Sequence, residues 1–96
     1  MNAINHNYTN HTAIKQIIYQ SAHRGCKELD ILLGRYAAAK AYNFTQFEVE
    51  NYQKLLLEND WDIYNWITEK DETPKEYATL INDIAIFQNC EVGANS

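Results

Sequence analysis

Apolar residues recur at three- and four-residue spacing in five successive short stretches of this chain. Almost nothing interrupts them: there are one proline and three glycines among 96 residues. Such periodicity is what a helix with one buried face requires. An all-β chain places Gly and Pro at every tight turn, and this chain has too few. No run of strand length alternates cleanly between apolar and polar residues. The expected fold class is therefore all-α, a compact five-helix bundle of short helices with short connections. The longest purely apolar runs, such as Tyr36-Ala37-Ala38-Ala39, fall far short of the ~20 residues that span a bilayer.

The five stripes have readable starts. The first runs through Ile14, Ile17, Ile18 and Ser21 and stops near Gly25. The second holds Leu29, Leu32, Leu33 and Tyr36, and with Gly25 as its N-cap, Glu28 falls at N3. The third opens with Thr45 and Glu48 at capping-box spacing. Phe44 and Val49 occupy its hydrophobic-staple positions, and its stripe continues through Tyr52, Leu55 and Leu56. Asp60 is the expected cap of a short fourth helix carrying Ile63, Trp66 and Ile67. In the fifth, Thr73 caps, Pro74 takes N1 and Glu76 takes N3, ahead of Tyr77, Leu80, Ile81, Ile84 and Phe87. From Gln88 onward periodicity is lost. The expected organisation is a disordered tail at 1–11, a helical domain at 12–88 and a second disordered tail at 89–96. Trp66 is expected to contribute most to the core, and Trp66→Ala to destabilise the domain severely.

Charge is distributed unevenly. Residues 1–40 carry five cations and two anions, whereas residues 41–96 carry three cations and eleven anions, for a formal net charge of −5. An acidic total disfavours general nucleic-acid binding, which needs a basic face. The small basic cluster suits an acidic partner or a phosphate-bearing one. Cys26 and Cys90 are too few and too far apart for a disulfide framework or a Cys-x-x-Cys site. The first residues contain no apolar stretch of a secretory leader and no arginine before Arg24, so the cytoplasm is the expected compartment.

Chemistry-bearing residues concentrate at the junction of the first two helices. Arg24, Gly25 and Glu28 place a cation, a permissive backbone and an anion within five residues. They read either as a capping arrangement or as a corner offered to a partner. On a helical wheel, Leu29, Leu32, Leu33 and Tyr36 make one face, while Lys27, Ile31, Gly34, Arg35 and Ala38 make the other. That second face fits either a helix packed on both sides or an exposed docking surface. Gly34 costs a helix interior about 1 kcal/mol relative to Ala, which marks a place where another chain or helix comes close. His6, His11 and His23 lack metal-ligand spacing. A glycine-rich phosphate loop and a serine nucleophile elbow are both absent, so a self-sufficient enzyme is not expected and no metal or cofactor of its own is assigned.

The run His23-Arg24-Gly25-Cys26-Lys27-Glu28-Leu29-Asp30-Ile31-Leu32-Leu33-Gly34-Arg35-Tyr36 resembles the SdhE family of succinate dehydrogenase assembly factors, whose signature is R-G-x-x-E. Phe47-Glu48 through Leu56 is similar to that family's third helix. Asp60-Trp61-Asp62-Ile63-Tyr64-Asn65-Trp66-Ile67 is similar to its D-x-D-[LI]-Y-x-W segment. The likeness covers about residues 13–87. It implies a five-helix bundle that promotes covalent attachment of FAD to the succinate dehydrogenase flavoprotein subunit, with FAD carried by that partner. It also implies partner binding by Arg24, Gly25 and Glu28, flanked by Lys27, Asp30 and Arg35. Fumarate reductase's flavoprotein is a second conceivable partner, and the factor is expected to act as a monomer. The alternative from another class is a small regulatory or antitoxin-type binding module.

Overall fold

A computed structural model describes residues 11–95, with the side chains of residues 11–90. Five α-helices are present among the described residues: α1 (His11–Ala22), α2 (Lys27–Lys40), α3 (Gln46–Leu55), α4 (Asp60–Ile67) and α5 (Ala78–Asn95). Short 3-10 turns at Ala41–Asn43 and Lys75–Tyr77 lead into α3 and α5. No strand occurs among the described residues, so the all-α five-helix expectation holds.

Most of the buried side chains come from the stripes, with Ala37, Ala41 and Phe44 added to them. Ile14 and Ile17 come from α1, Leu29, Leu33 and Tyr36 from α2, and Val49, Tyr52 and Leu55 from α3. Ile63 and Ile67 come from α4, and Ile81 and Ile84 from α5. A buried polar link joins α1 to α3: Ser21 Oγ donates to the Ile17 carbonyl at 2.7 Å and lies 2.9 Å from the Tyr52 hydroxyl. No buried side-chain nitrogen or oxygen among the described residues lacks a hydrogen-bond partner. Gly34 faces inward. A Cβ built on it would meet Ala22 Cβ at 3.2 Å, so this glycine lets α1 and α2 approach closely.

Several local expectations are corrected. Trp66 is only partly buried and stacks on Tyr77, with ring centroids 5.7 Å apart. The short α4 turns Ile63 and Ile67 inward instead, and Tyr52 and Tyr77 are the bulkiest fully buried side chains. The N-cap of α2 is Cys26, not Gly25, whose φ of +109° is not the extended geometry of a cap. Asn59, not Asp60, caps α4, its side chain accepting from the Trp61 amide at 2.8 Å. Pro74 has ψ 147° and stands outside the helical turn that begins at Lys75. The capping box at α3 is present as expected: the Glu48 amide donates to Thr45 Oγ1 at 3.1 Å, and the Thr45 amide donates to Glu48 Oε1 at 2.8 Å. The final helix runs on to Asn95, through most of the expected C-terminal tail. Once nucleated, a helix extends without a periodic apolar face, and no proline stops it. Of the expected N-terminal tail, residues 1–10 lie outside the described residues, while residue 11 opens α1.

Candidate functional site

The junction of α1 and α2 is a tight corner built by two acids and one arginine. The Asp30 carboxylate reaches back one turn and accepts from two amides, Arg24 N–H at 2.8 Å and Gly25 N–H at 3.2 Å. It performs the role that the sequence assigns to Glu28. With Asp30 holding the corner, the Glu28 side chain is exposed, its recorded contact being a long one of 3.9 Å from Cys26 Sγ. Cys26 itself is half-buried and packs against the core.

Arg24 turns inward. Its Nε donates to Asp60 Oδ1 at 2.6 Å, Nη1 to the Leu56 carbonyl at 2.8 Å and Nη2 to the Glu58 carbonyl at 2.9 Å. Its side chain is 12% exposed. Leu56 is the C-cap of α3, where carbonyls lack helical partners and the helix dipole is negative. One guanidinium thus ties the end of α1 to the end of α3 and the first residue of α4. The expectation that Arg24 presents a cation outward does not match this geometry. Its charge is matched within the fold, and its geometric role is to fix the corner's shape.

What the corner does present is Gly25, Lys27 and Glu28, all exposed. A Cβ at Gly25 would meet no atom within 4 Å, so the outward side of this backbone is open space. A shallow cleft of about 470 Å³ runs beside it, lined by Gly25, Cys26, Lys27, Glu28, Asn59, Asp60 and Trp61. The Trp61 ring is 65% exposed. On the same side of α2, Ile31 and Arg35 are exposed, so this helix face is open rather than packed on both sides; Gly34 alone turns to α1. Trp61 and Asn59 were not singled out by the sequence. The one signal available was Trp61's place inside the segment similar to D-x-D-[LI]-Y-x-W. Nothing in local spacing could pair Arg24 with Asp60, 36 positions away.

His23 stacks on Tyr19 with ring centroids 4.1 Å apart, and its Nδ1 lies 2.8 Å from the Tyr19 carbonyl, so it is tied to its own helix. No group of three or more His, Cys, Asp or Glu side chains placed to hold a metal ion occurs among the described residues. No described helix is long and apolar enough to cross a membrane.

The family model described as flavinator of succinate dehydrogenase matches residues 15–88. A protein named succinate dehydrogenase assembly factor 2-A, mitochondrial, from Drosophila sechellia is 44% identical over 72 residues, covering 73% of this chain and 44% of its own length. Succinate dehydrogenase assembly factor 2, mitochondrial, from Dictyostelium discoideum is 42% identical over 67 residues, covering 70% and 48%. The Drosophila virilis protein of that name is 43% identical over 72 residues, covering 73% and 46%. The chain therefore spans less than half the length of these relatives. Their names are mitochondrial and give the cytoplasmic expectation no support. The match across all five helices, with the Arg24-Gly25-x-x-Glu28 corner inside it, shows that the chain belongs to the succinate dehydrogenase flavinator family.

Proposed function

We propose that this chain promotes covalent attachment of FAD to the succinate dehydrogenase flavoprotein subunit, acting as a monomeric helper rather than as an enzyme. FAD is carried by the flavoprotein. The covalent chemistry would belong to that subunit: the flavin's 8α-methyl would give up a proton, the histidine nitrogen would bond to that carbon and lose its own proton, and the electron pair would pass into the flavin ring. The small factor binds the state in which the two are apposed and so raises its population. A hundredfold shift in that population needs about 2.7 kcal/mol of differential affinity, which a few interfacial hydrogen bonds to charged groups can supply.

The observation that carries this reading is the open backbone at Gly25, closely followed by an exposed cation and an exposed anion, Lys27 and Glu28. Gly25 lets a partner backbone approach, Glu28 accepts from partner donors, and Lys27 with Arg35 extends the polar contact along α2. Asp30 and Arg24 act one step removed: Asp30 pins the corner amides, and Arg24 pins the corner to the α3–α4 connection.

The test is co-expression of the flavoprotein with Gly25→Arg, read by flavin fluorescence of the denatured subunit in a gel. No side chain is crowded at that position, but its φ of +109° costs any residue other than glycine about 1–3 kcal/mol. The variant is therefore expected to fold, with a modestly lowered melting temperature, and to leave the flavoprotein unmodified. A folded Gly25→Arg chain that supports full flavinylation overturns the reading. Glu28→Gln, which lies on the surface, is expected to fold like the wild type and to lower flavinylation.

A further inference from the structure

From the acidic part of the chain, Asp60 serves the corner through Arg24. Eleven anions lie in residues 41–96, and two of them line a separate groove. It has a volume of about 400 Å³ and runs between the start of α3 and the first turns of α5. Tyr36, Phe44, Phe47 and Leu80 supply its apolar surface, and Glu48 and Asp83 its charge. That volume lies within the range of ligand-binding clefts. Its lining shares no residue with the clefts on either side of Arg24. Tyr36 stands nine residues beyond Lys27, about 14 Å along the axis of α2.

Both carboxylates are held in place, and neither is neutralised. Asp83 Oδ2 accepts from the Tyr36 hydroxyl at 2.6 Å, and Glu48 Oε1 accepts from the Thr45 amide at 2.8 Å. Each hydrogen bond engages one oxygen of a carboxylate that is exposed and belongs to the groove's lining. The ion pairs among the described residues are Arg24–Asp60 and Lys54–Glu76, so neither Glu48 nor Asp83 has a cation within 4.0 Å. Lys40 is placed over the Phe87 ring instead, 5.9 Å from its centroid. Beside the carboxylates stands Phe47, 74% exposed.

Fixed, unpaired carboxylates next to an exposed aromatic ring match one side chain better than any other. A guanidinium is planar, always charged and forked to meet carboxylate oxygens, and its faces stack on aromatic rings. A lysine ammonium offers charge without the plane, and an acidic or neutral segment meets uncompensated negative charge. We propose that this groove is a docking site for an arginine presented by a polypeptide partner, separate from the Gly25 corner.

The experiment uses the full chain labelled with ¹⁵N and titrated at low salt with an acetylated, amidated Gly-Ala-Arg-Ala-Gly peptide. The control peptide carries citrulline, which keeps the shape of arginine and removes its charge. The expected result is a saturating shift of the amides of Phe47, Glu48, Asn51, Asn82 and Asp83, about tenfold weaker for the citrulline peptide. Asp83→Asn keeps an acceptor for the Tyr36 hydroxyl while removing one charge. It is expected to weaken the arginine peptide about fivefold with the helical circular dichroism unchanged. Equal response to both peptides overturns the proposal, as does a response centred on the Gly25 corner. Movement of the groove amides with protein concentration alone also overturns it, because the occupant would then be a second copy of the chain.

Discussion

The guanidinium of Arg24 makes its recorded hydrogen bonds inward, to one carboxylate and two carbonyls on a connection more than thirty residues away. Removing it leaves Asp60 and the Leu56 and Glu58 carbonyls without that partner. Asp60 is 30% exposed, so water takes up part of the loss. The 3–5 kcal/mol typical of a fully buried pair is therefore too large here. Arg24→Ala is expected to cost about 2 kcal/mol, which for a domain of this size lowers the melting temperature by about 8–16 °C. Arg24→Lys is expected to recover less than half of that, because one ammonium cannot span three acceptors set out for a fork. Thermal melts followed by circular dichroism check both, and a melting point for Arg24→Ala equal to that of the wild type would show that the clamp contributes nothing. Function separates this residue from Gly25: well below its own melting point Arg24→Ala is expected to keep supporting flavinylation, whereas Gly25→Arg is expected to fail at every temperature.

Helix starts were legible where the capping residues are sequence neighbours and hidden where a distant group intervenes. Thr45 and Glu48 cap α3 within four residues, and that signal was read correctly. Asp60 carries the same kind of signal, yet Arg24 claims its carboxylate, and Asn59 takes the cap. At α2, Glu28 has capping spacing from Gly25. The left-handed backbone at Gly25 moves the cap to Cys26 and hands the corner amides to Asp30. Gly34 was legible as a close approach, but not as an approach to which element; the structure sets it against Ala22. That contact sets two effects against each other. Gly34→Ala gains about 1 kcal/mol of helix propensity and places a Cβ 3.2 Å from Ala22 Cβ, so the net change is expected to be close to zero. Gly34→Leu cannot be accommodated without parting α1 from α2 and is expected to cost about 1–3 kcal/mol. Urea midpoints of the two variants decide this: a leucine as stable as the alanine would mean that the helices are not in close contact there.

Across the whole molecule, the apolar stripes identify the core faces, but pattern alone does not rank the aromatic side chains within them. Trp66 looked the heaviest contributor by size, whereas burial falls to tyrosines whose hydroxyls have partners inside the fold. Tyr36 donates to Asp83, Tyr77 donates to Glu58, and Tyr52 meets Ser21. Those pairings join positions tens of residues apart or at the ends of different helices, which is why periodicity could not reveal them. They also make the fold sensitive to alkali. Burial is the main cause that raises all three phenols, and it pushes Tyr52 up to about 12 from an ordinary value of 10.0. A raised phenol keeps its proton in the folded chain at a pH where the unfolded chain has lost it. Above pH 10 the folded state therefore binds more protons, and stability falls as pH rises. The contribution is fully present below pH 10 and is lost between pH 10 and about 12 for Tyr52, amounting to about 3 kcal/mol for that residue. Tyr36 and Tyr77 add to it with the same sign. Against a total stability of about 5–15 kcal/mol, such a loss is a large share and brings the domain closer to cooperative unfolding in alkali. The buried three are expected to ionise together with the loss of helix, in one step seen by both tyrosinate absorbance and circular dichroism. Ionisation of Tyr36, Tyr52 and Tyr77 near pH 10 with the helices unchanged would mean that these hydroxyls are not sealed inside the fold. Tyr52→Phe removes one of the three titrating groups along with its hydrogen bond to Ser21. It is expected to lower stability by about 1 kcal/mol at neutral pH and to make the alkaline decline shallower.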